Sequence, residues 1–356
     1  MLNFFSHYSI GIDIIDSAIK GVCLKKSGKV IKLEEYQEVF LSPGIIIGGE
    51  IKNQEKFVKQ LSTFFKKIHK TGKRNRIVIS SIPEARTFIK MIKVVDIGLL
   101  KSQRRNKFSQ IPESILEEIK QSIPLEVDDL YVDWQIVGGN NVLVGAAQKA
   151  IIDSYTESFK QAGVSLSCLD VKPAAVLRSI IDIKKNDLNS KIVINVGDTS
   201  STIILGNNKI IEFTATSLFS DKIISQAISD NLKISDAQTR KAKKVCGFSD
   251  KKCKGAVKKV LSPYLDEIIN YIEKAILFHR DNNIADRSSV NKIILCGEDA
   301  NMPEFDKLIN KKLKIKTVIA DPLANINYAQ DSSQKFLPYA AAIGMALRGV
   351  LQYDHS

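Results

Sequence analysis

The chain has 356 residues, 44% of them hydrophobic and 26% charged, the proportions of a globular protein with core enough for two lobes. No apolar run approaches the roughly 18 residues that span a bilayer, and Met1-Leu2-Asn3-Phe4-Phe5-Ser6-His7 lacks the parts of a signal peptide, so a cytoplasmic protein is expected. Five cysteines without a CxxC pair and four scattered histidines argue for buried thiols in a reducing compartment and against zinc, and there is no P-loop or GxSxG elbow.

Residues 9–39 read as three strands in meander, turning near Asp16 and at Lys26-Ser27-Gly28-Lys29. An amphipathic helix over 53–69 follows, with Phe57, Leu61, Phe64, Phe65 and Ile68 on one face, then a strand over 76–82 stopped by Pro83. Residues 84–165 behave as a separate α+β insert: a strand over 88–95, a helix over 113–121, strands over 131–137 and 142–147, and a helix over 150–161. Lys101-Ser102-Gln103-Arg104-Arg105-Asn106-Lys107 reads as an exposed basic loop within it, and Trp134 as packing. The second lobe opens near Lys191, with strands over 192–196, 202–205 and 210–214 and helices through most of 218–245. A helix over 263–279 carries Leu265, Ile268, Ile269, Ile272 and Ile276 as a core stripe, with His279 as a helix-end residue. The last helix, over 340–351, is expected to return to the first lobe.

The domains expected are therefore 1–83 with 166–190 and 335–356 as the first lobe, and 84–165 as the insert. Residues 191–215 with 280–334 form the second-lobe core, and 216–279 its accessory helical part. Asp170, where the lobes cross, reads as a hinge residue or one that positions water.

The formal charge of +13 gathers in two lysine-rich runs, from Lys59 to Arg76 and from Lys233 to Lys259. Nucleic acid and an anionic membrane leaflet are conceivable partners for such surfaces. Neither run interleaves aromatics with its cations, so a solvated lysine face is the plain reading and no nucleic acid is expected.

Two distant stretches read as copies of one device. Ile12-Asp13-Ile14-Ile15-Asp16-Ser17-Ala18-Ile19 and Ile194-Asn195-Val196-Gly197-Asp198-Thr199-Ser200-Ser201 each set a polar residue on a strand, then a hydroxyl- and acid-bearing turn, then a second apolar run. Such a hairpin turn offers N–H groups and hydroxyls to an anion. One copy in each half of the chain implies duplicated half-domains clasping a single ligand.

These stretches resemble the paired phosphate loops of the actin-like ATPase superfamily, and Ile293-Ile294-Leu295-Cys296-Gly297-Glu298 its adenosine-backing strand. Within that superfamily the order of Gly48-Gly49-Glu50, Ser80-Ser81-Ile82-Pro83, Ser122-Ile123-Pro124-Leu125, Val132-Asp133-Trp134, Leu169-Asp170-Val171 and Ala340-Ala341-Ala342-Ile343-Gly344 is similar to the PilM family of type IV pilus assembly, related to FtsA. The resemblance implies an actin-like (ribonuclease H-like) two-lobed α/β fold with an inserted small subdomain. It implies ATP and Mg between the lobes, with Asp13 holding the metal through water. Nucleotide contacts would fall at Asp13, Ile15, Asp16, Ser17, Lys20, Asn195, Gly197, Asp198, Thr199, Gly297 and Glu298. It further implies a cytoplasmic scaffold at the inner face of the membrane that binds the N-terminal segment of a PilN-like inner-membrane protein. That peptide would lie between the first lobe and the insert, against Ile92, Val94, Ile123 and Leu125.

The chain departs from the superfamily pattern in all three nucleotide elements. Ile15 stands where a glycine is usual, so the turn either takes left-handed backbone at about 1–2 kcal/mol or changes type. Asp16 would repel a polyphosphate unless a cation such as Lys20 offset it, Asn195 removes a charge from the metal's surroundings, and Glu298 fills a glycine position. Poor nucleotide affinity and negligible turnover are expected, and Asp13 is read either as the metal residue or as a carboxylate satisfied by turn N–H groups. The rival readings are an active ATPase or small-molecule kinase and an FtsA-like division protein; the lack of an amphipathic helix after Leu351 counts against the latter.

Overall fold

A computed structural model describes residues 7–68, 76–94, 112–123, 125–138, 140–182, 189–207, 210–282, 290–328 and 330–352. The expected basic loop at 101–107 lies outside them.

The first lobe is built on β1 (His7–Ile15), β2 (Ala18–Ser27), β3 (Val30–Phe40), β6 (Arg76–Ile82) and β10 (Cys168–Val171), in the order β10-β6-β1-β2-β3. β2 runs antiparallel to β1 and β3, whereas β6 and β10 join parallel. β1 is buried almost throughout because both faces of the sheet are covered, which explains an apolar run without alternation. One face meets α1 (Gln54–Lys67), entered through the short hairpin of β4 (Ile46–Ile47) and β5 (Glu50–Ile51). Phe57, Leu61 and Phe64 of that helix are buried as its periodicity predicts.

The second lobe repeats the plan. β11 (Lys191–Val196), β12 (Ser201–Gly206), β13 (Ile211–Ser217), β14 (Lys292–Gly297) and β15 (Lys316–Ile319) lie in the order β13-β12-β11-β14-β15. β11 pairs antiparallel with β12 and parallel with β14, as β1 does with β2 and β6. The duplication read from two loops thus extends to whole sheets.

The helix α4 (Lys172–Ile180) follows β10, and the closing helix α9 (Ala340–Gln352) packs between it and β1. The approach is close enough to require glycine. A Cβ on Gly11 would lie 1.9 Å from the Ala342 carbonyl, and one on Gly344 would lie 1.7 Å from that of Ala175.

The insert holds the sheet β7-β9-β8, from β7 (Thr87–Lys93), β8 (Leu130–Gly138) and β9 (Asn141–Gln148), with α2 (Glu113–Ser122) on one face. The next helix, α3 (Lys149–Gln161), buries Ile151, Tyr155 and Phe159 in the first-lobe core beside Phe57 and Phe64.

The accessory helices are α5 (Asp221–Leu232), α6 (Asp236–Val245) and α7 (Ala256–Asn282); α8 (Phe305–Leu313) lies between β14 and β15. α7 begins seven residues before the expected start at Pro263, because buried Val257 and Leu261 extend its stripe toward the N-terminus. His279 sits in the last turn as expected, and it is buried there with Nδ1 2.7 Å from Glu212 Oε2. Cys246 is bonded to Cys253, which corrects the expectation of free thiols throughout. The thiols of Cys23 and Cys296 are pushed up to about 12 by burial, so both are inert. Lys243, expected on a solvated face, is buried between Asp221 and Asp299. No helix of the described residues is long and apolar enough to cross a membrane.

Candidate functional site

The end of β1 carries Asp13 toward the interface of the lobes, and the parallel register of β6 sets Ser81 beside it. Ser81 donates from Oγ to Asp13 Oδ1 at 3.1 Å and accepts from the Ile14 N–H at 3.2 Å. The other carboxylate oxygen, Oδ2, lies 3.2 Å from Nζ of Lys172, the first residue of α4. The partners of Asp13 are therefore a hydroxyl and an ammonium rather than the turn N–H groups. Burial disfavours the Lys172 charge, but Asp13 and Glu84 outweigh it and hold the lysine above its ordinary pKa.

The second hairpin mirrors the first. Thr202 stands opposite Asn195 on β12 as Lys20 stands opposite Asp13 on β2. Thr202 donates from Oγ1 to Glu84 Oε1 at 2.9 Å, tying this hairpin to the start of the insert. Burial raises the Glu84 pKa, with Lys172 and Thr202 opposing. Gly297 ends β14 at a φ of 85°, and a Cβ there would lie 2.1 Å from the Val196 carbonyl and 2.8 Å from Asn195 Oδ1. Only glycine fits.

Lys20 forms an ion pair with Glu298 that crosses from the first lobe to the second, with Glu38 3.8 Å away. Between the hairpins remains a cavity of about 20 Å³, lined by Asp13, Ile15, Lys20, Lys172, Asn195, Gly197, Asp198, Gly297 and Glu298. The two hairpins thus come together as the sequence implied.

Three expected contacts do not join them. Asp16 turns away and accepts from the N–H groups of Gly48 and Gly49 at 2.6 and 2.9 Å, so it stabilises the β4–β5 turn instead of repelling a phosphate. Ser17 serves through its carbonyl, which accepts from Leu41 N at 2.8 Å, and Thr199 is exposed outside the cavity. Ile15 is not strained: Asp16 and Ser17 form a two-residue turn in which no residue takes positive φ, so the turn changed type.

The cleft between the hairpins is narrow and already occupied by charged side chains. A nucleotide pocket needs several hundred Å³, against about 20 Å³ here. The expected metal carboxylate is engaged by Lys172. In or beside the cleft, Asp13, Glu38, Glu84, Asp198 and Glu298 outnumber Lys20 and Lys172, a balance that repels polyphosphate. No group of three or more potential metal ligands occurs among the described residues.

A larger cavity of about 580 Å³ opens between the insert sheet and the first lobe. Strand alternation decides which residues reach it. Ile92, Val142, Val144 and Leu130 belong to the core with α2; Phe88 packs against it, as does Trp134, which also lines the groove. Ile89, Tyr131, Asp133 and Leu143 face the groove, across from Leu169 and Ala174. Ile92 and Val94, expected as groove walls, are buried in the insert's own core. Ile123 and Leu125 line a separate outer hollow of about 260 Å³. On the groove floor Asp170 accepts from Arg178 at 3.0 Å and lies 2.7 Å from Arg348, so it clasps α4 to α9.

Lys172, Glu84, Ser81, Arg178 and Arg348 escaped sequence reasoning. Lys172 left one signal: a lysine beginning a helix opposes the helix dipole, a placement that calls for a nearby carboxylate.

A family model described as type IV pilus assembly protein PilM matches residues 11–350. Among solved structures, the chain is similar to one described as the PilM-PilN type IV pilus biogenesis complex, at 18% identity and a TM-score of 0.74, covering 96% of this chain and 98% of that one. It is also similar to ethanolamine utilization protein EutJ from Carboxydothermus hydrogenoformans, at 12% identity and a TM-score of 0.55, over 96% and 89% of the chains. MreB5 of Spiroplasma citri bound to ADP aligns at 12% identity and a TM-score of 0.52, over 98% and 99%. The likeness establishes the actin-like fold expected from the sequence.

Proposed function

The chain belongs to the family of type IV pilus assembly protein PilM, and on that premise we propose that it is a cytoplasmic scaffold holding the N-terminal cytoplasmic segment of a PilN-like inner-membrane protein. The observation that carries the reading is the groove of about 580 Å³ between insert and first lobe. Its apolar walls, Ile89, Leu143 and Leu169, receive aliphatic side chains of an extended segment, and Tyr131, Asp133 and Gln135 offer polar contacts along its rim. A structure of similar fold bears the description of a PilM-PilN complex, which supports the choice of partner.

The nucleotide cleft is, in this reading, a degenerate one that joins the lobes through ion pairs and does not turn over ATP. Lys172 stands by Asp13 and the Lys20–Glu298 pair spans the gap, so the lobes are held by resident charges. The protein would then lie at the inner face of the membrane through its partner.

Calorimetric titration with a synthetic peptide copying the cytoplasmic start of the membrane protein encoded beside it tests the scaffold. Saturable one-to-one binding is expected; no heat at millimolar peptide removes the reading.

A further inference from the structure

A second recess of about 150 Å³ lies beside the groove. The two share Ile82, Thr87, Ile89 and Val171 as walls. The recess closes on the second lobe at Thr202, Thr214, Ala215 and Thr216, and both Glu84 and Lys172 line it. Glu84 Oε1 accepts from Thr202, and among the described residues Oε2 takes no hydrogen bond or ion pair. The nearby ammonium, Lys172, is committed to Asp13 at 3.2 Å. Asp13 and Glu84 therefore share the one ammonium of the recess, and Glu84 keeps one carboxyl oxygen open toward it. A water occupies about 30 Å³ of liquid, so the recess has the volume of one long side-chain tip and excludes a larger group.

We propose that the recess is a subsite for a single basic side chain, a guanidinium above all, carried by the segment in the groove. A planar fork can pair with the open Glu84 oxygen while donating to the threonine hydroxyls. Thr87, Thr202, Thr214 and Thr216 supply acceptors on both sides of the recess. An acidic side chain would meet the Glu84 carboxyl, with Lys172 already engaged by Asp13, and an aliphatic one would leave the open Glu84 oxygen without a partner. The subsite deepens the scaffold reading and rests on it for its natural ligand, but the recess itself can be tested alone.

The probe is n-butylguanidinium, compared with neutral n-butylurea by amide NMR of the isotopically labelled full chain. The cation is expected to shift the Thr202, Thr214 and Thr216 amides in a saturable manner, with the urea at least tenfold weaker and the cation weakened about tenfold by Glu84→Gln, the scale of a lost charged hydrogen bond. Equal shifts from the two probes, or shifts indifferent to Glu84→Gln, overturn the subsite. Should that variant fail to fold, the comparison of probes on the unaltered protein decides alone. Cation binding without any partner-peptide binding would remove the scaffold reading and keep the subsite. Peptide binding without a preference for the cation would do the reverse.

Discussion

Lys172 sets its ammonium 3.2 Å from the carboxylate of Asp13, at the point where the duplicated hairpins meet. Both side chains are largely buried, at 12% and 5% exposure, so the pair is shielded from water and salt. Removing one partner strands the other charge. Lys172→Met or Asp13→Asn should each cost about 3 kcal/mol, measured by chemical denaturation, whereas the double variant should recover most of the loss. Additive costs would mean that the two do not act as a pair.

The strand alternation of the insert predicts opposite outcomes at neighbouring positions. Leu143 faces the groove and Val144 the α2 core, where it is 1% exposed. Leu143→Glu should leave the melting temperature within a few degrees and abolish peptide binding. Val144→Asp should unfold the insert, because an unpaired carboxylate enters an apolar core. Thermal melts and calorimetry on the two proteins check the contrast.

Stability should also depend on pH through Asp299, whose pKa burial and the neighbouring Asp221 push from 3.8 to about 7 despite Lys243. Between those values the folded state holds a proton that the unfolded state has released. Stability therefore declines as pH rises from about 4 to 7, and is level above. Asp221 itself is lowered, so its own contribution falls away only below its ordinary 3.8. Asp299→Asn should flatten the slope in urea midpoints taken across that range; an unchanged slope would assign it elsewhere.

The closing helix leaves no room at Gly344, where a methyl would lie 1.7 Å from the Ala175 carbonyl. Gly344→Ala should destabilise by about 3 kcal/mol or more, despite alanine's better helix propensity. A gain in denaturation midpoint would show that α9 sits farther from α4 than described.

What the sequence disclosed followed the range of its signals. The β1–β2 hairpin, α1 and α9 were legible because their apolar periods are local and strong. The pairing of the two hairpins was legible because the motif repeats. Asp16 misled, since its donors on Gly48 and Gly49 lie over thirty residues away and a turn carboxylate looks alike whichever side it faces. Lys172 was hidden for the same reason, its partner lying 159 positions earlier in the chain. Ile92 was read as a cavity wall because Ile89 and Ile92 are chemically identical, and only strand register sets Ile92 in the insert's core and Ile89 on the cavity. Lys243 looked like a surface lysine until the fold brought Asp221 and Asp299 to it.

The most direct measurement is photocrosslinking of the partner's cytoplasmic segment to the full chain, with adducts located by mass spectrometry. The scaffold account predicts adducts on Ile89, Tyr131, Leu143 and Leu169, around the inner groove. Adducts confined to the outer hollow at Ile123 and Leu125, or to the second lobe away from Thr214 and Thr216, would contradict it.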